Sequence, residues 1–491
     1  MKKTIIPIMF MVLLFNTTFI SNVNAVIINA TTCSQANVQT AINSAATGDI
    51  VVVPPGKCSW NANVIISDDK KITLKGAGIG LTVINNLLST EVVLQMGDSG
   101  SRITGFTFNE VVIRLFAGDA RIDHNKLYTA TTSPGSGVYF STGRSVLHEA
   151  PQALVDNNVF ENCRVVVTAS GSMMANKPWT LPLDIGGRTN VVYVEDNTFY
   201  RTYTTAANVM DANYGGAYVF RYNTIYGVNA FLNIMAHSVQ GNNRATKKWE
   251  IYGNILQTDK YVNHQTFRMR GGTGLIFYNS VIGRWSEPSI DLDNVRSFSS
   301  VGDGGLCDGD SAWDGNEDGT GYPCRDQIGR GPDNPLWFNS PAGAYTQPLV
   351  PAYAWVNRTA SNAEVAFRVY DTVSAKHIKS NRDYYDYNVS FNGTSGIGAG
   401  TLANRPASCT KGVAYWATNQ STSDLTGKVG NNPQMPITGT LYKCTAPNTW
   451  TAYYTPYTYP HPLRSSEPLG SSEPLSRPAP PRSLTILPSQ P

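Results

Sequence analysis

Chemistry at neutral pH needs groups that carry charge or move protons, and this chain repeats such groups at one position of a recurring phrase. Asp123, Asp156, Glu195 and Arg221 occupy that position, and Tyr252 and Phe277 continue it. Read as strands, these side chains point outward and stack on neighbouring coils ~4.8 Å apart. Arg121, Tyr193, Lys248 and Glu250 lie beside them. Stacked carboxylates repel one another, so something must compensate. Neighbouring arginines would do so. A calcium ion, which takes several oxygens at about 2.3–2.6 Å, would also do so. The column therefore offers Asp123, Asp156 and Glu195 as metal ligands, Arg221 and Lys248 as catalytic cations, and Tyr193 and Glu250 as substrate contacts.

A second cluster lies in MAHSVQGNNRATKKWE (235–250) and FRMRGGTG (267–274). It holds Asp211, His237, Arg244, Lys247, Arg268 and Arg270. Arg268 and Arg270 share strand parity, so one face shows both. Either would serve as a base with His237 assisting, while Asp211 and Arg244 contact substrate. The plainer alternative is loop-anchoring hydrogen bonds and surface charge. A third motif, DGNEDG (314–319), matches the D-x-N-x-D-G opening of a calcium loop through Asp314, Asn316 and Asp318. Arg325 stands where an EF-hand needs a bidentate glutamate, so this is no EF-hand. Asp308, Asp310 and Asp326 are candidates to complete the shell.

These groups need a scaffold, and the scaffold is a repeat. RIDHNKL, LVDNNVF, YVEDNTF, VFRYNTI, EIYGNIL and LIFYNSV align on Asn125, Asn158, Asn197, Asn223, Asn254 and Asn279. Three residues earlier stand Ile122, Val155, Val194, Phe220, Ile251 and Ile276. Two residues later stand Leu127, Phe160, Phe199, Ile225, Leu256 and Val281. Both columns are apolar throughout. A bend at the asparagine switches strand parity, so both columns face inward. The asparagines then stack, each amide bonding to the next coil, because an unpaired buried amide is costly. Unequal spacings imply loops that leave the coil along one face.

The ends read differently. MKKTIIPIMFMVLLFNTTFISNVNA has a basic start, a short apolar run and a small-residue end, the order of a secretory signal peptide over residues 1–25. Nothing later is long and apolar enough for a membrane span. Formal net charge is +3 with no basic stripe, which argues against nucleic acid as a partner. Seven cysteines in an exported chain invite disulfides. Cys33–Cys58, Cys307–Cys324 and Cys409–Cys444 are the economical local pairs, leaving Cys163 as a buried thiol. The chain divides into a repeat body (26–298), an Asp/Gly/Cys-rich loop insertion (299–345), a β-rich C-terminal region (346–463) and a tail (464–491) too polar and Pro-rich to build a core. The run YYTPYTYPHPL is expected to wrap the C-terminal end of the coils.

Coils of this length with an asparagine ladder resemble the pectate-lyase-like β-helix superfamily. CSQANVQTAINSAATGDIVVVPPGKCSW (33–60) resembles its entry, and KITLKGAGIGLTVI (71–84) and SRITGFTF (101–108) resemble its next coils. The resemblance covers about 33–285. It implies an all-β fold: a single-stranded right-handed parallel β-helix with an N-terminal capping helix and a C-terminal β- and loop-rich cap. In the family's pectate lyases, strand-held calcium neutralises the substrate uronate, and an arginine or lysine removes the C5 proton. RIDHNKL is similar to their W-I-D-H phrase, with Arg121 in place of the tryptophan. Their R-x-P-x-x-R phrase is absent, as are the N-T-D, G-H-G and R-I-K phrases of polygalacturonases. Three functions follow as expectations: a secreted, monomeric, calcium-assisted lyase on an acidic polysaccharide, a glycoside hydrolase in the same groove, or a glycan-binding protein without activity.

Overall fold

The computed structural model describes residues 25–86, 92–97, 100–116, 118–130, 137–141, 150–169, 177–202, 208–227, 233–238, 244–295, 307, 324–334, 347–420 and 437–464. The leader 1–24, the calcium-loop residues Asp314, Asn316 and Asp318, and the tail from 465 lie outside them.

One α-helix, Gln35–Ser44, is found among the described residues; the rest of the regular structure is almost all strand. The Ser34 side chain caps the helix by accepting the Asn37 N–H at 3.4 Å, and Val38, Ala41 and Ile42 form its buried face. After it the chain circulates. Strands such as Ala120–Asp123, Ala153–Asp156, Val192–Glu195, Ala217–Arg221, Lys248–Tyr252 and Thr273–Phe277 stack in register into a twelve-stranded parallel sheet. Each leads through a bend into a second parallel stack, for example Lys126–Tyr128 on Val159–Glu161 on Thr198–Arg201. From there the chain enters a third stack, which includes Arg164–Thr168, Met210–Asn213 and Ile234–Ala236, and then returns to the first sheet. The long strands Ile255–Met269 and Ser280–Leu292 run through the second and third stacks alike and join them into one eighteen-stranded assembly. Large parallel stacks visited in rotation are compatible with a parallel β-helix. The stacking continues past residue 298: Ala352–Trp355, Phe367–Val369 and Tyr384–Asp386 extend the same sheets, so the coil body is longer than the sequence suggested.

The repeat columns explain the circuit. Ile122, Val155, Val194, Phe220, Ile251 and Ile276 are fully buried in the central core, as are Leu127, Phe160, Phe199, Ile225 and Leu256. Between each pair of columns one residue turns left-handed: His124, Asn157, Asp196, Tyr222, Gly253 and Tyr278 have φ of 53–67°. That single αL step makes the bend. The next residue is the asparagine. Asn125, Asn158, Asn197, Asn223 and Asn254 each donate their backbone N–H to the next asparagine's Oδ1 at 2.9–3.1 Å. Asn279 hands the ladder on to Asn357 at 3.2 Å.

Three disulfides form: Cys33–Cys58, Cys307–Cys324 and Cys409–Cys444, and Cys163 is free and buried. No helix among the described residues is long and apolar enough to cross a membrane. A four-stranded sheet, Ile397–Gly400, Ala414–Ala417, Thr440–Ala446 and Thr449–Tyr454, packs its Trp416 against Phe277 and Trp355 of the twelve-stranded sheet. The chain after Tyr454 does not cross an end of the coils, as the sequence suggested. It runs over the outer face of that sheet, where Tyr457 and Thr458 carbonyls accept from Arg221 at 2.7 and 2.9 Å.

Candidate functional site

The acidic column is buried. Asp123, Asp156, Glu195 and Arg221 each have no exposed surface: the C-terminal strap covers the last three, and Arg102, Arg121 and His124 close over Asp123. This corrects the expectation that the column faces solvent. Its charges are matched internally. Asp123 takes Arg102 through both oxygens at 2.7 and 2.6 Å, and Asp156 takes Arg121 the same way at 2.9 and 3.0 Å. Glu195 pairs with Arg221 and Arg464 and accepts the His461 N–H at 3.0 Å. Burial alone would raise Glu195, and Arg221 with Arg464 brings it below the usual carboxylate range. The oxygens of Asp123, Asp156 and Glu195 are committed to arginine donors, so these three do not fit a calcium shell.

The neighbours of this column are buried as well. Lys248 binds Glu250 at 2.7 Å and the Asp184 carbonyl at 2.6 Å, Glu250 accepts the Gly186 N–H, and Tyr193 donates to the Gly187 carbonyl at 2.7 Å. Together they fasten segment 184–187 onto the sheet. Lys248 and Arg221 therefore have no surface from which to reach a polymer. Arg244 is also withdrawn from solvent. It grips Asp326 at 2.7 and 2.6 Å and Asp333 at 2.8 Å twice, beneath the Trp179 ring. Asp326 thus belongs to this junction. Lys247 is buried against the Pro178 carbonyl, and burial, helped by Lys248, pushes it down to about 7.

The second cluster is the one that reaches the surface. Phe267 and Met269 point into the core, so Arg268 and Arg270 point out. The next coil repeats the pattern with Ile290 and Leu292 inward and Asp291 and Asp293 outward, and the coil after it places Arg368 opposite Asp291. Asp293 is wholly buried and organises both guanidiniums. Its Oδ2 accepts Arg268 Nε and Nη2 at 2.9 and 2.6 Å, and its Oδ1 accepts Arg270 Nε at 3.0 Å. Arg268 and Arg270 keep 19% and 13% of their side-chain surface. Burial pushes Arg270 below its usual range, against the pull of Asp293. On the other side, Ala236 pairs with Met269 and accepts the Arg270 N–H at 2.9 Å, and the next residue, His237, meets Asp211 Oδ2 through its Nε2 at 3.0 Å. His237 Nδ1 and Asp211 Oδ1 are buried and have no hydrogen-bond partner. Gly271 and Gly272 follow the arginines because Ala245 Cβ and the Asp326 carbonyl press against the first and the Thr246 and Lys247 carbonyls against the second, leaving no room for a Cβ.

Of the residues singled out in the sequence, the fold brings together Asp211, His237, Arg268 and Arg270. Sequence reasoning missed Asp291, Asp293, Arg368 and Tyr370. A signal was present: FRMR, IDLD and FRVY alternate with the same period of two and stack in register. The surface so formed is a fixed pair of guanidiniums beside a His–Asp pair on a rigid parallel sheet. Comparison with protein-family models, curated proteins and solved structures finds no match to this chain.

Proposed function

We propose that this chain is a secreted, monomeric lyase acting on an acidic, uronate-containing polysaccharide, on a right-handed parallel β-helix closed by the helix Gln35–Ser44. A right-handed winding accords with the rule for parallel strand crossovers, and the three disulfides accord with an oxidising compartment. The reading rests on one observation: Arg268 and Arg270 are pinned by the buried Asp293 and keep outward donors. Paired guanidiniums suit a carboxylate, since each presents several donors in a fixed plane. They also supply the charge neutralisation that makes a C–H beside a carboxylate acidic.

Arg270, which burial lowers, is the base in this reading, acting in its neutral form while Arg268 holds the carboxylate. It takes the C5 proton, the C–H electron pair becomes the C4–C5 double bond, and the bond from C4 to the glycosidic oxygen breaks. That oxygen takes a proton from water and becomes a hydroxyl. No step passes through calcium. A hydrolase reading is weaker, because an inverting pair needs two free carboxyls about 6.5–9.5 Å apart, and Asp293 is committed to the arginines. A binding protein without activity would use the same two arginines.

The test is absorbance at the unsaturated-uronate band. Purified protein is mixed with pectate, alginate, glucuronan and a glycosaminoglycan, each with calcium and with chelator. A rise that survives chelator and disappears in Arg270→Ala supports the assignment. A rise only with calcium returns the neutralising role to the metal. Retention on the polymers without any rise leaves the binding function alone.

A further inference from the structure

The outward columns do not stop at the arginines. Arg270 lies opposite Asp293, and Tyr370 follows opposite Asp293 on the next coil, fixed by its N–H to the Leu292 carbonyl at 2.9 Å. Tyr370 is 50% exposed, which is unusual here for so large a ring. Two guanidiniums face it: Arg268 with Cζ 5.6 Å from the ring centroid and Arg368 at 5.9 Å. Arg368 is held in turn by Asp291 at 2.9 and 2.8 Å and by Glu287 at 2.8 Å. The ring is thus held beside a strand with two guanidiniums over it and half of its surface left to solvent.

We infer that Tyr370, flanked by Arg268 and Arg368, is a stacking subsite for a further anionic sugar of the same chain. This rests on the acidic-polysaccharide reading above. An aromatic face takes up the C–H face of a pyranose, and its polar rim stays wet. The adjacent guanidiniums select a sugar that carries a carboxylate. Tyr370 stands two coils beyond Arg268 and Arg270, at roughly twice the ~4.8 Å strand spacing. The backbones are two coils apart, but the Arg268 guanidinium reaches to 5.6 Å from the ring, about one strand spacing and about one pyranose repeat. The arginine pair therefore takes one sugar and Tyr370 stacks the next. A monosaccharide seated on the arginines does not reach the ring.

The experiment titrates the full-length protein with galacturonate and alginate sugars, from monomer to hexamer, in a calorimeter. Wild type is expected to bind dimers and longer oligomers more tightly than monomers. Tyr370→Ala is expected to lose about tenfold in affinity, roughly one 1.4 kcal/mol step, for dimers and longer only. Tyr370→Phe keeps wild-type affinity, and thermal unfolding of both variants separates lost binding from lost fold. Equal losses for monomer and hexamer, or no loss for either, overturn the subsite while leaving the acidic-glycan reading in place. Wild type that binds no oligomer of either series overturns both.

Discussion

Asp293 has two oxygens, and three guanidinium donors share them. A buried carboxylate is tolerable only with such partners, and removing a fully buried partner typically costs roughly 3–5 kcal/mol. Both arginines reach solvent, so the expected penalty here is smaller, about 2 kcal/mol. Asp293→Asn keeps the shape and removes the charge. It should lower the unfolding free energy by that amount in denaturant titrations. It should also weaken oligouronate binding by about tenfold, because guanidiniums free to move lose preorganisation. Unchanged affinity with lowered stability would make Asp293 a purely structural residue. The same scale explains why Arg268 and Arg270 were legible in the sequence and Asp293 was not. Parity along one strand exposes the first pair, whereas Asp293 meets them only through inter-coil register.

At the scale of the element, the strap 457–464 decides the fate of the acidic column. Arg464 contacts Asp156, Glu195 and Asp196, Tyr459 donates to Asp196, and His461 places its backbone N–H on Glu195. His461 Nδ1 accepts the Leu463 N–H at 3.2 Å, so protonating the ring breaks a bond that shapes the strap. Burial pushes His461 down to about 4, with Glu195 opposing. A depressed histidine binds fewer protons docked than free between its usual pKa near 6.5 and about 4. This contribution to docking is therefore fully present above 6.5 and is lost as pH falls towards 4, by roughly 3 kcal/mol. Burial raises Asp156 and Asp196, and their protonation acts in the opposite direction. Hydrogen exchange over 457–464, corrected for intrinsic rate, should accelerate from pH 7 to pH 5 in wild type. His461→Asn, which keeps an acceptor but does not titrate, should show a smaller change. An identical pH response in both proteins would remove His461 from the account.

Across the whole molecule the asparagine ladder links the coils. Asn197 accepts from Asn158 through backbone and side chain at 2.9 and 3.0 Å and donates to the Val155 and Glu195 carbonyls. Asn197→Ala strands these groups in the core at about 1–3 kcal/mol each, partly offset by relaxation. A net loss of roughly 3–5 kcal/mol is expected in denaturant titrations. In a stacked architecture each coil leans mainly on its neighbours. Faster hydrogen exchange should therefore centre on strands 153–161, 192–201 and 217–227 and fade towards both ends. Uniform acceleration along the chain would show that the coils open as one unit.

The sequence by itself determined the coil. Apolar residues at fixed offsets from an asparagine, repeated six times, specify an inward face, a bend and a ladder, because backbone geometry is local and each copy carries its own instructions. It did not reveal the last rung at Asn357, where Ala354 and Thr359 replace the bulky apolar flanks. It also assigned an outward direction to Asp123, Asp156 and Glu195, which do leave the lumen. Whether outward meant water was beyond it. The strap that covers Glu195 arrives 266 residues later in the chain, and nothing near Glu195 announces it. Tertiary structure alone made that column an internal ion-pair network. It also joined FRMR, IDLD and FRVY, distant in sequence, into a surface where paired arginines meet solvent.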